Sequence, residues 1–238
     1  MVLIYGKHAA LAAIANPMRK IKRVMVTKNT QKECERALTG CRNLTVVEAQ
    51  KLEASLPKDA VHQGVVVECD PLAQPSLQGW LSEEKNKPLL LLDQVSDPHN
   101  VGAILRSAAA FNVGAVVTLE RNAAQESGTL AKSASGALEV VPLISVGNLA
   151  QAIEILKKAG YWVYGLDGEA KAPIDQMKFD VKTALILGAE GRGLRRLTAE
   201  HCDFLVKIPM GGQMESLNVS NAATVAMYVL ASSRGARQ

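Results

Sequence analysis

From residue 89 onward the chain contains five apolar runs that are continuous rather than alternating: 89–93 (LLLLD), 115–119 (AVVTL), 161–166 (YWVYGL), 184–188 (ALILG) and 204–208 (FLVKI). A strand with one face in water alternates apolar and polar residues. A strand that is apolar throughout is covered on both faces, as in parallel sheets clad by helices. Helical stretches over 101–111, 149–159 and about 218–232 separate or follow these runs. The expectation is therefore an α/β domain over 88–238 with a parallel sheet. With 238 residues, 48% of them hydrophobic but only 4% aromatic, the core must be built from Ala, Val, Leu and Ile.

Residues 1–72 read differently, as a smaller α/β domain. "HAALAAIA" is a helix that should end before Pro17. Strands are expected at 23–27, 44–48 and 64–69, with short helices in "TQKECERAL" and "AQKLEASL". Residues 73–87 follow Pro71, include Pro75 and Gly79, and read as a linker. The net charge is only +4, but Lys7, Arg19, Lys20, Lys22, Arg23, Lys28 and Lys32 all precede the first acidic residue, Glu33. Such a local positive field attracts nucleic acid or an anionic membrane, the alternative being a solvated basic face. Cys34, Cys41, Cys69 and Cys202 form no CxxC pair, and no histidine stands at ligand spacing to them, so no metal is expected. Unpaired cysteines suit a reducing compartment. The start lacks a basic n-region, and no run approaches about 18 apolar residues, so a cytoplasmic protein is expected.

Open parallel sheets place their sites beyond the carboxyl ends of the strands, and three segments leave such ends. In "DQVSDPHNVGAILR", Asp97 and Pro98 suit an N-cap and a first helical residue. The helix they open is apolar nearly all round and should be buried. Arg106 is its only formal charge. A buried guanidinium must meet a carboxylate, a carbonyl cluster or a bound phosphate, so a structural ion pair and a ligand contact both remain open. The second segment, "GAEGRGL" (188–194), has glycines that let backbone approach a ligand, but it is neither a dinucleotide fingerprint nor a phosphate loop. The third, "KIPMGGQMESLNVS", leads from a strand into a helix whose start is crowded by Ser216, Asn218, Ser220 and Asn221.

In order, Asn100-x-Gly102-x-x-x-Arg106, Gly188-Ala189-Glu190-Gly191-x-Gly193 and Pro209-Met210-x-Gly212…Ser216-Leu217-Asn218-Val219-Ser220 resemble the motifs of the SpoU (TrmH-like) branch of the SPOUT RNA methyltransferases. The resemblance covers residues 89–231. "IYGKHAALAAIANPMRKIKRVMVT" resembles that family's amino-terminal substrate-binding domain, whose fold is similar to ribosomal protein L30e. The branch it most resembles methylates a guanosine ribose in 23S rRNA. The resemblance implies a trefoil knot in the carboxyl-terminal domain and S-adenosylmethionine held largely by backbone at Gly188, Ile208 and Leu217. It also implies a catalytic set of Asn100, Arg106, Glu190, Ser216 and Asn218, in which Arg106 stabilises the developing 2′-alkoxide. RNA would be captured through Lys7, Arg19, Lys20, Lys22 and Arg23. A homodimer built on the catalytic domain is implied too, in keeping with the broad apolar faces of the last helix (Val219, Ala222, Ala223, Ala226, Val229, Leu230). The alternatives are a tRNA substrate and an RNA-binding module without catalysis.

Overall fold

The computed structural model describes residues 1–41, 43–83, 86–121, 124–189, 191–213 and 216–235. Glu190 lies outside the described residues. The amino-terminal domain runs β1 (Val2–Tyr5), α1 (Lys7–Ala15), β2 (Ile21–Val26), α2 (Lys28–Glu33), α3 (Glu35–Leu38), β3 (Leu44–Val46), α4 (Ala49–Glu53) and β4 (Val65–Cys69). Its sheet has the order β1-β4-β2-β3, with β4 antiparallel to both its neighbours and β2 parallel to β3. Helix α1 ends at the C-cap Asn16, where Pro17 follows, and buries Ala9, Ala10 and Ala13.

The second part runs α5 (Leu77–Glu83), β5 (Leu89–Asp93), α6 (Pro98–Ala110), β6 (Ala115–Leu119), α7 (Gly128–Ala134), β7 (Leu143–Val146), α8 (Leu149–Lys158), β8 (Trp162–Leu166), β9 (Ala172–Pro173), β10 (Thr183–Gly188), α9 (Arg196–His201), β11 (Phe204–Lys207) and α10 (Val219–Gly235). The described strands make one sheet of order β7-β6-β5-β10-β8-β11-β9, parallel at every pairing. The apolar runs have the cause expected of them. Leu89, Leu91, Val117, Ala184 and Ile186 pack with Leu149, Ile153 and Leu156 of α8 on one face. Leu90, Leu92, Val116, Leu185 and Leu187 pack with residues of α6, α7 and α10 on the other. Strand β7 and helices α7 and α9 were not foreseen. Nor was α5, which occupies the stretch expected to be a linker: Leu77 and Trp80 are buried in the α8-side core, so the segment is packed rather than free.

Arg19 is the clearest departure from expectation. It was assigned to RNA, yet its side chain has no exposed surface and joins the two domains. Its Nη2 donates to Glu139 Oε1 at 2.7 Å, its Nε donates to both Glu139 oxygens, and its Nη1 contacts Glu126 Oε1 and the Asp70 carbonyl. Asn16 Nδ2 donates to Glu139 at 2.7 Å, and the Leu72 amide donates to Glu126 at 2.9 Å. Glu126 lies just before α7 and Glu139 ends the 3-10 turn that follows it, and Tyr5 Oη meets Thr129 Oγ1 at 3.1 Å alongside. Once both carboxylates are buried against the small domain, only a planar fork with several donors can satisfy them. Removing the cation leaves two buried negative charges unmatched, so Arg19→Ala should lower unfolding free energy in chemical denaturation by roughly 3–5 kcal/mol. The triple replacement Arg19→Met, Glu126→Leu and Glu139→Leu should recover most of that loss, because no buried charge is left without a partner.

Candidate active site

A cleft of about 480 Å³ opens at the carboxyl ends of β8, β10 and β11. Its walls are Leu166, Asp167 and Glu169 after β8, the glycine turn after β10, and Ile208, Ser216 and Leu217 after β11. The volume is in the range of small-molecule sites. All three residues expected at the cofactor, Gly188, Ile208 and Leu217, line this one cleft, and so does Ser216.

The turn after β10 folds straight back on its strand. Gly193 N donates to Ala189 O at 2.9 Å, and Gly191 and Gly193 sit at φ +76° and +63°, in the left-handed region that glycine enters at least cost. A Cβ on Gly188 would lie 2.0 Å from the carbonyl carbon and oxygen of Gly193. Gly188 is therefore required by the turn itself, in addition to any approach of a ligand. The end of the turn is tied down: Arg195 Nε donates to Asp93 Oδ1 at 2.6 Å and Arg195 N to Asp93 Oδ2 at 3.1 Å.

On the other side of the sheet, Asp97 caps α6 by accepting from His99 N at 3.1 Å, with Pro98 at the first helical position, as expected. Gly102 lets α6 lie directly on α7, since a Cβ there would meet Ser133 Cβ at 2.5 Å. Asn218 caps α10 through its Oδ1, which accepts from Ser220 N at 2.9 Å. Its Nδ2 donates to Asn100 Oδ1 at 3.1 Å, joining two motif residues 118 positions apart. Asn218 stands between Leu217 and Val219, both of which line the cleft. Ser107 Oγ and Thr224 Oγ1, 2.8 Å apart, hold α6 against α10.

Arg106 departs from expectation. Helix α6 buries Val101, Gly102, Ile104, Leu105 and Ala108, whereas Arg106, Ala109 and Ala110 are exposed. Among the described residues no ion pair or hydrogen bond holds its guanidinium, and it does not line the cleft of its own chain. A helix rises 1.5 Å per residue, which puts Arg106 about 9 Å along α6 from Asn100. At the end of the same helix, Phe111 meets Tyr228 of α10 edge-on at 6.1 Å, and Tyr228 is 59% exposed.

Of the other cations assigned to RNA, Lys20 is exposed. Lys7 pairs with Glu33 at 2.5 Å, Lys22 with Asp70 at 2.7 Å and Arg23 with Glu68 at 3.1 Å, all with partly exposed cations. The hydrogen bond to Asp70 raises the Lys22 pKa, and the same bond lowers that of Asp70. Cys202 is held as a structural thiol: burial pushes its pKa up to about 12, and Sγ donates to the Thr198 carbonyl. Asp167, Glu169, Asp93 and Arg195 escaped the sequence reading, although Asp93 and Asp167 stand at or just past the ends of strands, where sites form.

Residues 87–228 match the SpoU rRNA Methylase family, and residues 3–75 match the RNA 2′-O ribose methyltransferase substrate binding family. The chain is 40% identical over 232 residues to the 23S rRNA (guanosine-2′-O-)-methyltransferase RlmB of Pseudomonas putida, covering 94% of each protein. Among solved structures, the SpoU methyltransferase AviRb from Streptomyces viridochromogenes, in complex with the cofactor AdoMet, superposes with a TM-score of 0.80 at 24% identity, over 98% of this chain and 89% of that one. The TrmH/SpoU tRNA modifying enzyme of A. aeolicus reaches 0.59 at 24% identity, over 68% of this chain and 82% of that one. In sequence over more than half its length, and in the fold that carries those motifs, the chain belongs to the SpoU rRNA methylase family.

Proposed function

We propose that this protein transfers a methyl group from S-adenosylmethionine to the ribose 2′-hydroxyl of a guanosine in 23S rRNA. One observation carries the reading: two motif segments distant in sequence line a single cleft, and Asn218, between two of its lining residues, is hydrogen-bonded to Asn100 of the remaining motif segment. Relatives about 40% identical over nearly the whole chain carry that activity in their names. The cleft suits the methyl donor, with apolar walls at Leu166, Ile208 and Leu217 for a flat base and carboxylates at Asp167 and Glu169 for hydroxyl or ammonium groups. When bound, the donor supplies an electrophilic methyl group on a sulfonium centre. Backbone at Gly188, Ile208 and Leu217 holds it, within a carboxyl-terminal domain that we take to be threaded as a trefoil knot.

Arg106 keeps its proton too tightly to act as a base. Its role in this reading is electrostatic: the guanidinium holds the phosphate next to the target ribose and stabilises the charge that develops on the 2′-oxygen as its proton passes to that phosphate. Asn100, Asn218, Ser216 and Glu190 orient the acceptor. Because Arg106 lies on an exposed face away from its own cleft, it serves the cleft of a second copy. The exposed Ala109 and Ala110 of α6 and Val225 and Tyr228 of α10, a helix packed on α6, supply an apolar dimer contact. The amino-terminal domain captures RNA through Lys20, Lys7, Lys22 and Arg23. The acidic partners of the last three are surface pairs that phosphates can displace at little cost. No described helix is long and apolar enough to cross a membrane, and a reducing, cytoplasmic location suits the four free thiols.

Labelled methyl should pass from S-adenosylmethionine to 23S rRNA and not to tRNA when the two are offered in parallel; transfer to tRNA alone would replace the substrate assignment. Arg106→Ala should leave the melting temperature nearly unchanged, as for other exposed sites, and lower turnover at least about a hundredfold. Arg106→Lys should also fail, since a point charge does not reproduce the fork. Heterodimers of Arg106→Ala with Asn218→Ala should regain activity that neither variant has alone, because one of their two composite sites is intact; no regain would put Arg106 in the cleft of its own chain. RNA affinity should weaken steeply with salt, and Lys20→Glu should flatten that dependence.

A further inference from the structure

We propose that Asp93 and Arg195 form a positioning pair: through it, the strand that leads to Asn100 holds the glycine turn in the shape that binds S-adenosylmethionine. The inference rests on the functional reading above. It names two residues outside the motif set, neither of which lines the cleft.

Asp93 is the last residue of β5, and its side chain has no exposed surface. A buried carboxylate is costly unless charged donors satisfy it. This one is met on both oxygens by a single residue, at 2.6 Å on Oδ1 from the Arg195 side chain and at 3.1 Å on Oδ2 from the Arg195 amide. Arg195 lies just past the turn that begins at Gly188, and Gly188 stands opposite Asp93 in the parallel register. The turn thus leaves the sheet beside Asp93 and returns to the same carboxylate. Between these points Gly191 and Gly193 take left-handed conformations, which glycine exchanges for others at little cost. A loop so rich in glycine has many alternative shapes, and fixing its far end removes most of them.

The other arm of the coupling leaves from the same residue. Gln94, immediately after Asp93, sits at φ +64°, a conformation that a residue with a side chain keeps only when its neighbours hold it there. Val95 then returns to the core and Asp97 caps α6, three residues before Asn100. Asp93 therefore stands at the branch point of two segments, one toward the methyl donor and one toward the acceptor. The Arg195 side chain remains 44% exposed, so it can be altered without opening the core.

The test uses the full-length protein, with S-adenosylmethionine affinity read by calorimetry and 23S rRNA affinity by filter binding. Arg195→Ala keeps the backbone donor and loses the charged one. Its affinity for S-adenosylmethionine should fall at least tenfold, with RNA affinity within twofold of wild type and a cooperative melt retained. The KM for S-adenosylmethionine should rise while that for RNA stays put. Arg195→Lys should restore most of the loss, and Asp93→Asn combined with Arg195→Ala should be no worse than the poorer single variant. If folded Arg195→Ala binds S-adenosylmethionine as wild type does, the pair does not position the turn. If both affinities fall together in proportion to unfolding, or if Arg195→Ala and Arg195→Lys both fail to fold, the pair merely holds the sheet and the proposal is overturned. Wild-type protein that binds no S-adenosylmethionine would instead remove the functional reading on which the inference rests.

Discussion

A sheet covered on both faces leaves polar chemistry one place to go, and that constraint shapes the whole catalytic domain. Leu90, Leu92, Leu185 and Leu187 are committed to one helical layer, and Leu89, Leu91, Ala184 and Ile186 to the other. Within the layers the central strands pair on both sides, which commits their backbone groups to neighbouring strands. Only at the rim, where strands stop, do polar side chains such as Asp167 meet a cleft. The cleft sits there because the sheet is buried, and the exit loops are glycine-rich because several of them must turn within the same small space.

The motif residues carried by α6 and by the start of α10 are of contrasting character. Asn100 and Asn218 are neutral amides locked to each other, and one of them also caps a helix, so their geometry is set by the fold. Arg106 is charged and unheld by any described neighbour. The contrast fits a site in which orientation is built in advance, while the strongest charge waits for the anion that justifies its desolvation. A cation enclosed in the isolated chain would need a resident carboxylate, and that carboxylate would cancel the field offered to a phosphate.

The parts legible in the sequence are those with local causes. Continuous apolar runs announced β5, β6, β8, β10 and β11, and Asp97-Pro98 announced the start of α6. Strand β7 escaped because Pro142 and Ser145 interrupt its apolar pattern, and α7 because it is short, small-residued and flanked by serine and glycine. In α5, Pro75 and Gly79 signalled a turn, whereas Leu77 and Trp80 draw the segment into the core. The burial of Arg106 was misjudged because alanine carries too little apolar surface to say which face of a helix is covered: Ala108 is buried and Ala109 is not. Arg19 looked like every other cation in its cluster, since Glu126 and Glu139 lie more than a hundred residues away. The convergence of Gly188, Ile208, Leu217 and Ser216 was legible through their placement after strand ends, while the Asp93–Arg195 contact is purely tertiary.

The Arg19 clasp also bears on how such a protein can be rebuilt. A substrate-binding domain joined by a loose tether is a cassette, exchangeable for another that reads a different RNA. Here the tether is packed, and the catalytic domain presents two carboxylates whose neutralising cation is carried by its neighbour. A transplanted domain would have to bring an arginine to that same point, or the recipient would need both glutamates replaced. The identity of the amino-terminal domain is therefore wired into the stability of the catalytic half, and the two would have to change together.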